Sequence, residues 1–308
     1  MGAIIEACNS EISVKNTGVE CHTVMSATAM LLLMYPGTSF TKTDLEDPVT
    51  FFQDLIQRRK CFPLFGNKFP VSTVQNNTEN DATVTLDDGT QVFLRYGVYN
   101  RVFETLKGGL CYAEALQSFL QSGFQVIEID QNGSMLVHKN NDGTYTGLNT
   151  TFMYSPSPTL ADFSTTPYKN RFSISYSPVE MVRYGKILTG ADSLLDLAGL
   201  LNVSIKEAAA GTTSALTISV TTGCSGANLA TLFPTEIVDL DLYVVTNVAS
   251  GATVTPSGAT ISNGNIVLSG TFTSGQSYYV VGSNPTVWAS NGIEGYDASK
   301  SKIKISVA

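Results

Sequence analysis

The 308-residue chain carries 18 Lys and Arg against 26 Asp and Glu, a net charge of −8, and is 43% hydrophobic but only 14% charged. Such a length predicts two domains, each able to fold without disulfide staples. No basic cluster extends beyond Arg58, Arg59 and Lys60, which argues against gripping nucleic acid through its phosphates, and a charged fraction below the usual quarter or so implies surface covered by partners.

In chain order, the start MGAIIEACNS lacks the basic and long apolar regions of a signal peptide, and Glu6 stands where a myristoylation motif needs Ser or Thr. Residues 1–20 read as an extended arm that packs on a neighbouring subunit. The apolar run Ala27 to Tyr35 falls short of the roughly 20 residues that cross a bilayer, so no membrane is expected as a partner. Together with Cys21 to Met25 it predicts a short buried helix ended by Pro36-Gly37.

A second helix is predicted at about 48–60, with Asp47 as N-cap, Pro48 at its first position, and Phe51, Phe52, Leu55 and Ile56 at helical spacing. Arg58 to Lys60 would complement its C-terminal dipole; a solvated helix end explains them better than an anion site. VSTVQN (71–76) and a hairpin turning at Asp88-Gly89 follow. A third helix carries the stripe Tyr112, Ala115, Leu116, Phe119 and Leu120, and the Gly108-Gly109 pair before it lacks the spacing of a phosphate loop.

Phe124 to Tyr154 is the best marked stretch. Three extended runs rich in β-branched and aromatic residues are separated by Asn132-Gly133 and Asp142-Gly143, pairs suited to hairpin turns, and predict a β-meander. Phe172 to Pro178 adds a strand to the same sheet. ADSLLDLAGLLN predicts a final helix ending near Asn202. Beyond it the chain becomes rich in Ser, Thr, Gly and Val and helix signals vanish. The strands ALTISVTTG, IVDLDLYVVTN, ATVTPSG, NIVLSGTFTSG, QSYYVVGS and KIKISVA, with turns every 8 to 12 residues, predict a β-sandwich of immunoglobulin-like type. The expected fold is therefore an α+β domain over 1–203, an antiparallel sheet with packed helices, followed by an all-β immunoglobulin-like sandwich over 204–308.

No catalytic, cofactor-binding or metal-binding residue is assigned, and no cofactor. Cys8, Cys21, Cys61, Cys111 and Cys224, odd in number and widely spaced, read as free buried thiols in a reducing compartment. His22 and His138 are the only histidines. His138 reads as an ordinary strand residue, and nothing positions it beside Cys111 as a nucleophile–base pair. Cys21 and His22 lack the repeated spacing of a zinc site. Asp130, Asn132 and Gly133 look like half of a calcium loop without its downstream Glu, so a turn accounts for them.

The C-terminal module resembles the immunoglobulin-like domains appended to structural proteins of tailed bacteriophages. The likeness rests on the turn Thr246-Asn247 to Ser250-Gly251, the strand start Gly275 to Tyr278, and Gly292 to Tyr296 before a last charged strand. The first two thirds are similar to virion proteins at Gly108 to Leu116, Asp130 to Gly133 and Asp142 to Thr144. This resemblance implies a non-enzymatic virion subunit assembled in the host cytoplasm, most of all a tail-tube (major tail) protein. Its sheets would join those of neighbouring copies into an inner barrel, its arms would bind adjacent rings, and DNA would pass an acidic lumen without specific binding. Its partners would be copies of itself and other virion proteins. The competing expectation is a capsid-associated decoration or connector protein, or an adhesin whose C-terminal domain meets a surface glycan through Tyr278, Tyr279, Trp288 and Tyr296; core filling is the simpler account of those rings.

Overall fold

The run expected to be the first helix is a strand, and the first part of the chain is built around it. The computed structural model describes residues 25–77, 79–120, 123–162 and 167–308. It is mostly β, 43% strand and 16% helix, in several antiparallel sheets. It divides into two compact units, Met1–Ala198 and Gly199–Ala308. The expected arm at 1–20, which includes Cys8, and the start of the expected first helix, with Cys21 and His22, lie outside the described residues.

The first unit runs β1 (Thr28–Met34), α1 (Pro48–Gln57), β2 (Cys61–Phe65), β3 (Thr73–Asn76), β4 (Ala82–Thr85), β5 (Gln91–Arg95) and β6 (Tyr99–Thr105). It continues through α2 (Gly109–Gln117), β7 (Gln125–Asp130), β8 (Met135–Lys139), β9 (Tyr145–Thr146), β10 (Leu148–Tyr154), β11 (Asn170–Tyr176), a π-turn (Glu180–Tyr184), β12 (Gly185–Leu188) and a 3-10 turn (Asp192–Asp196). β1 lies between β2 and β7, with Leu32 opposite both Pro63 and Ile127. Met30 to Met34 are all buried. Covered on both faces, the strand has no polar alternation to distinguish it from a buried helix, which is why its Leu- and Met-rich run misleads.

α1 forms where expected. The Asp47 side chain accepts from the Thr50 backbone N–H, and the helix ends in a Schellman turn in which Lys60 N–H donates to Leu55 O and Arg59 takes a φ of 56°. Arg58 pairs with exposed Asp54 and Lys60 lies over the Tyr35 ring, in keeping with a helix end. α2 is pinned to β2 by Tyr112, whose hydroxyl accepts from Phe65 N–H.

The expected meander is only partly correct. β7 and β8 form a hairpin across Asn132-Gly133, but the third run breaks at Gly147 into β9, which stays on β8, and β10, which crosses to β7 and then to β11. A Cβ at Gly147 would sit 2.7 Å from Val126 N, so only glycine permits that close crossing. β10 shifts register between Thr150 and Phe152 as it leaves β7 for β11, and β6 and β3 follow in order. One bulged strand therefore joins the two parts of the sheet. Leu31, Leu64 and Val126 from one limb meet Phe103, Phe172 and Ile174 from the other, with Leu116 of α2, in a shared core.

The helix expected over ADSLLDLAGLLN is absent. Asp192–Asp196 is a 3-10 turn that buries Leu194 and Leu195, and Leu201 already opens a strand. The second unit contains β13 (Leu201–Thr212), β14 (Ala215–Thr222), α3 (Leu229–Leu232), a 3-10 turn (Leu240–Leu242), β15 (Tyr243–Asn247), β16 (Thr253–Val254), β17 (Gly258–Ser262), β18 (Asn265–Ser269), β19 (Ser277–Gly282), α4 (Pro285–Ser290), β20 (Tyr296–Asp297) and β21 (Lys302–Ser306). One sheet has the order β17-β18-β14-β13-β20 and the other β16-β15-β19-β21. Their facing residues, among them Leu216, Ile218, Val245, Ile266, Val280 and Ile305, close one apolar core. α3 and α4 were unexpected, yet each begins at an Asn whose side chain accepts from the first turn, Asn228 from Ala230 N–H and Asn284 from Val287 N–H.

Candidate functional site

β4 and β5 form a two-stranded ribbon separate from the main sheet, turned at Asp87-Asp88-Gly89. At the turn the Asp88 carboxylate accepts from Thr90 N–H at 2.8 Å, and these backbone and hydroxyl contacts hold its pKa below the usual range. Every residue of β5 is exposed. Alternation sends Val92 and Leu94 to one face and Phe93 to the other, so both faces present apolar groups; Leu94 is 62% exposed. Phe93 and Tyr96 pack ring to ring at 4.5 Å. A lone two-stranded ribbon is marginal in water, and an apolar one has a further reason to be covered. The sequence announced this hairpin through Asp88-Gly89 and its β-branched runs. That it would stand apart from the sheet was not visible.

The main sheet holds buried charge. Glu104, 1% exposed, accepts from Arg171 Nε at 2.8 Å and Lys169 Nζ at 3.0 Å. Glu128, fully buried, accepts from Arg101 and from the Thr28 hydroxyl at 2.8 Å. Tyr176 lies in the same cluster, and burial first, then the Glu128 charge, push its phenol well above the usual value. None of these residues stood out in the sequence, because β1, β6, β7, β11 and Lys169 just before β11 supply them from separate parts of the chain.

His138 lies in β8, the strand expected for it, and is engaged there. Its Nδ1 lies 2.6 Å from Glu180 Oε1, which also accepts from Asn149 N–H at 2.8 Å and Asn149 Nδ2 at 3.0 Å. The Tyr184 ring stacks on the imidazole at 4.8 Å. Glu180 and Tyr184 bound the π-turn, closed when Gly185 N–H donates to Glu180 O, and π-turns recur at functional positions. A pocket of about 430 Å³ opens beside it, lined by Lys139, Asn140, Asn141, Arg183, Tyr184 and Lys186.

Other expected features resolve plainly. Cys61 is free and buried, and burial pushes its thiol far up, whereas Cys111 and Cys224 are both disulfide-bonded; the expectation of free thiols fails at those two positions. A bridged Cys111 offers no thiolate, and His138 is engaged by Glu180, so these two do not form a nucleophile–base pair. The Asp130 carboxylate is consumed by Asn132, Ser134 and Ser26 N–H groups, which makes the calcium-like motif a turn. No cluster of three or more metal-capable side chains occurs among the described residues. Trp288 and Tyr278 are buried in the second unit's core, leaving only Tyr279 and Tyr296 of the four candidate glycan contacts partly exposed. No helix among the described residues is long and apolar enough to cross a membrane. No protein-family model matches the chain, and no curated protein matches it.

Proposed function

We propose that the chain is a non-enzymatic structural subunit of a tailed-phage virion, of the tail-tube (major tail) type, that assembles with copies of itself through sheet and arm contacts and directs an immunoglobulin-like domain outwards. The β4–β5 ribbon carries this reading: it exposes Val92, Phe93, Leu94 and Tyr96 away from any sheet of the same unit. The occupant is a second copy. Every subunit bears the ribbon, and a ring of identical subunits covers each one with its neighbour. The main sheet also ends at β12 and β3, edges that strand addition from a copy would complete.

The second unit supports the finer assignment. The strand orders of its two sheets are compatible with that type: lettered in chain order, β13, β14, β18 and β17 would correspond to A, B, E and D, and β15, β19 and β21 to C, F and G, with β16 beside C. Tyr278 near the start of β19 accepts from Thr273 N–H, as the tyrosine corner of that fold does. Trp288 departs from the pattern, for it sits on α4 and not on the C strand. The −8 charge suits a lumen that lets DNA pass without holding it.

Electron microscopy of the purified protein tests the reading. Rings or stacked discs are expected, and the ribbon variant Phe93→Glu/Leu94→Glu should leave dispersed protein with an unchanged melting curve. A wild-type protein that stays monomeric at high concentration would sink the proposal. Particles that bind heads and never form tubes would instead favour the capsid-associated connector.

A further inference from the structure

One sheet of the second unit turns a mixed apolar and basic face outward. β15, β19 and β21 pair so that Val244 stands opposite Val281 and Val281 opposite Lys302, with Thr246, Tyr279 and Lys304 in the next row. Alternation sends Val245, Val280 and Ile305 of the same strands into the core, so those six side chains form the other face. Val244 is 42% exposed, both lysines are exposed, and Tyr279 and Val281 are half-buried. Acidic residues outnumber basic ones in the chain, 26 to 18, yet β15, β16, β19 and β21 hold none. Lys302 Nζ stands 3.7 Å from the Tyr279 ring centroid. Neither Lys302 nor Lys304 forms an ion pair among the described residues, although Asp241 just before β15 and Glu207 on β13 are exposed carboxylates of the same unit.

The β4–β5 ribbon has the matching pattern. Val84 lies opposite Val92 and Leu86 N–H donates to Thr90 O, so alternation puts Val84, Leu86, Val92 and Leu94 on one face. All four are exposed. At the base Glu79 pairs with Arg95 and Asp81 accepts from Gly97 N–H, which leaves the charge of the ribbon at its turn, where Asp87 and Asp88 are exposed and meet no cation among the described residues.

We propose that the outer face of β15, β19 and β21 receives the β4–β5 ribbon of a neighbouring copy, its apolar stripe over Val244, Val281 and Tyr279 and its Asp87-Asp88 turn beside Lys302 and Lys304. This rests on self-assembly through the ribbon and names the surface that takes it. Covering apolar side chains on both partners supplies attraction, and opposite charges fix the register and disfavour other pairings. Ribbon and face are different surfaces, so the contact runs head to tail and can repeat around a ring. Two lysines are too few to hold a polyanion, which would also leave the valines bare.

Sedimentation and electron microscopy of the full chain test the contact by charge reversal. Lys302→Glu/Lys304→Glu should raise the protein concentration needed for assembly by at least about tenfold, with little change in the melting curve because both side chains are exposed. Lys302→Gln/Lys304→Gln should act in the same direction and less strongly. Asp87→Lys/Asp88→Asn should match the glutamate variant, the asparagine keeping an oxygen for Thr90 N–H. An equimolar mixture of these two reversed proteins should assemble again, since each ribbon then meets an oppositely charged face on the other variant. Reversed proteins that assemble like wild type, or a mixture of folded variants that stays dispersed, would overturn this contact and leave self-assembly standing. A wild type that never assembles would overturn both.

Discussion

The two units bury different things. In the second, β14 and β19 alternate strictly between buried and half-buried positions, and the side chains that meet between the sheets are almost wholly apolar. In the first, β1 is covered on both faces while Glu104 and Glu128 are drawn into the sheet among Arg101, Lys169 and Arg171. A core built from one face per strand can be completed by aliphatic packing alone. A sheet joined through β10 brings polar residues of strands remote in sequence together inside, and each needs a partner there.

Breaking one partner should therefore have its largest effect in the first unit. Glu128→Leu leaves the mostly buried Arg101 guanidinium without its carboxylate, only the Thr28 hydroxyl remaining, and should cost about 3–5 kcal/mol by denaturant unfolding, whereas Glu128→Leu/Arg101→Met should recover most of it. A loss below about 1 kcal/mol in the single variant would show that the buried pair does not distinguish the units. In the second unit the matching change is Trp288→Ala, which empties a fully buried site and should cost about 3–5 kcal/mol with no polar partner able to rescue it.

Smaller effects come from backbone. Gly133 and Gly251 both hold a positive φ, 78° and 70°, but a Cβ at Gly133 would meet Ala191 O at 2.3 Å while one at Gly251 would meet nothing within 4 Å. Gly251→Ala should cost about 1 kcal/mol and Gly133→Ala clearly more, read from the two melting curves.

Alkaline titration probes both cores at once. The phenols of Tyr176 and Tyr243 are pushed up from 10.0, Tyr243 by burial and Tyr176 by burial and then the Glu128 charge. A phenol whose folded value exceeds its unfolded one adds stability that is complete below the unfolded value and disappears as pH rises toward the folded one. Stability should thus be level with respect to these groups below about pH 10 and fall above it, with their 295 nm absorbance step appearing only on unfolding. The smallest effect on stability belongs to the ribbon: Leu94→Glu, on a side chain 62% exposed, should change unfolding by no more than about 0.5 kcal/mol while reducing assembly.

How much of this was readable depended on what covers each strand. β14, β18, β19 and β21 could be found because half their positions face the core and half do not, and the Asn263-Gly264 hairpin because its residues tolerate φ values of 51° and 75°. β1 could not, since neighbours on both edges and cover on both faces erase the period that separates strand from helix. The leucines of the 3-10 turn misled for a related reason: Leu194, Leu195 and Leu197 are buried as a helix stripe would be, but Leu201 belongs to a strand. The pocket escaped notice because Lys139 and Asn140 are remote in sequence from Arg183 and Lys186, and only the pairing of β8 with β12 joins them.

Local chemistry determined α1 with its Asp47 cap and Pro48 start, the Asn-Gly and Asp-Gly turns, and β14, β15, β18, β19 and β21 of the second unit, but not β13 or β20, since each of the former depends on neighbours a few positions away. Tertiary structure alone decided that Thr28–Met34 extends, that β10 leaves one limb of the sheet for the other, and that Glu128 finds Arg101 and Glu180 finds His138. Those outcomes depend on which strands lie side by side and what is left to satisfy once they do, and that information is spread over the whole length of the unit.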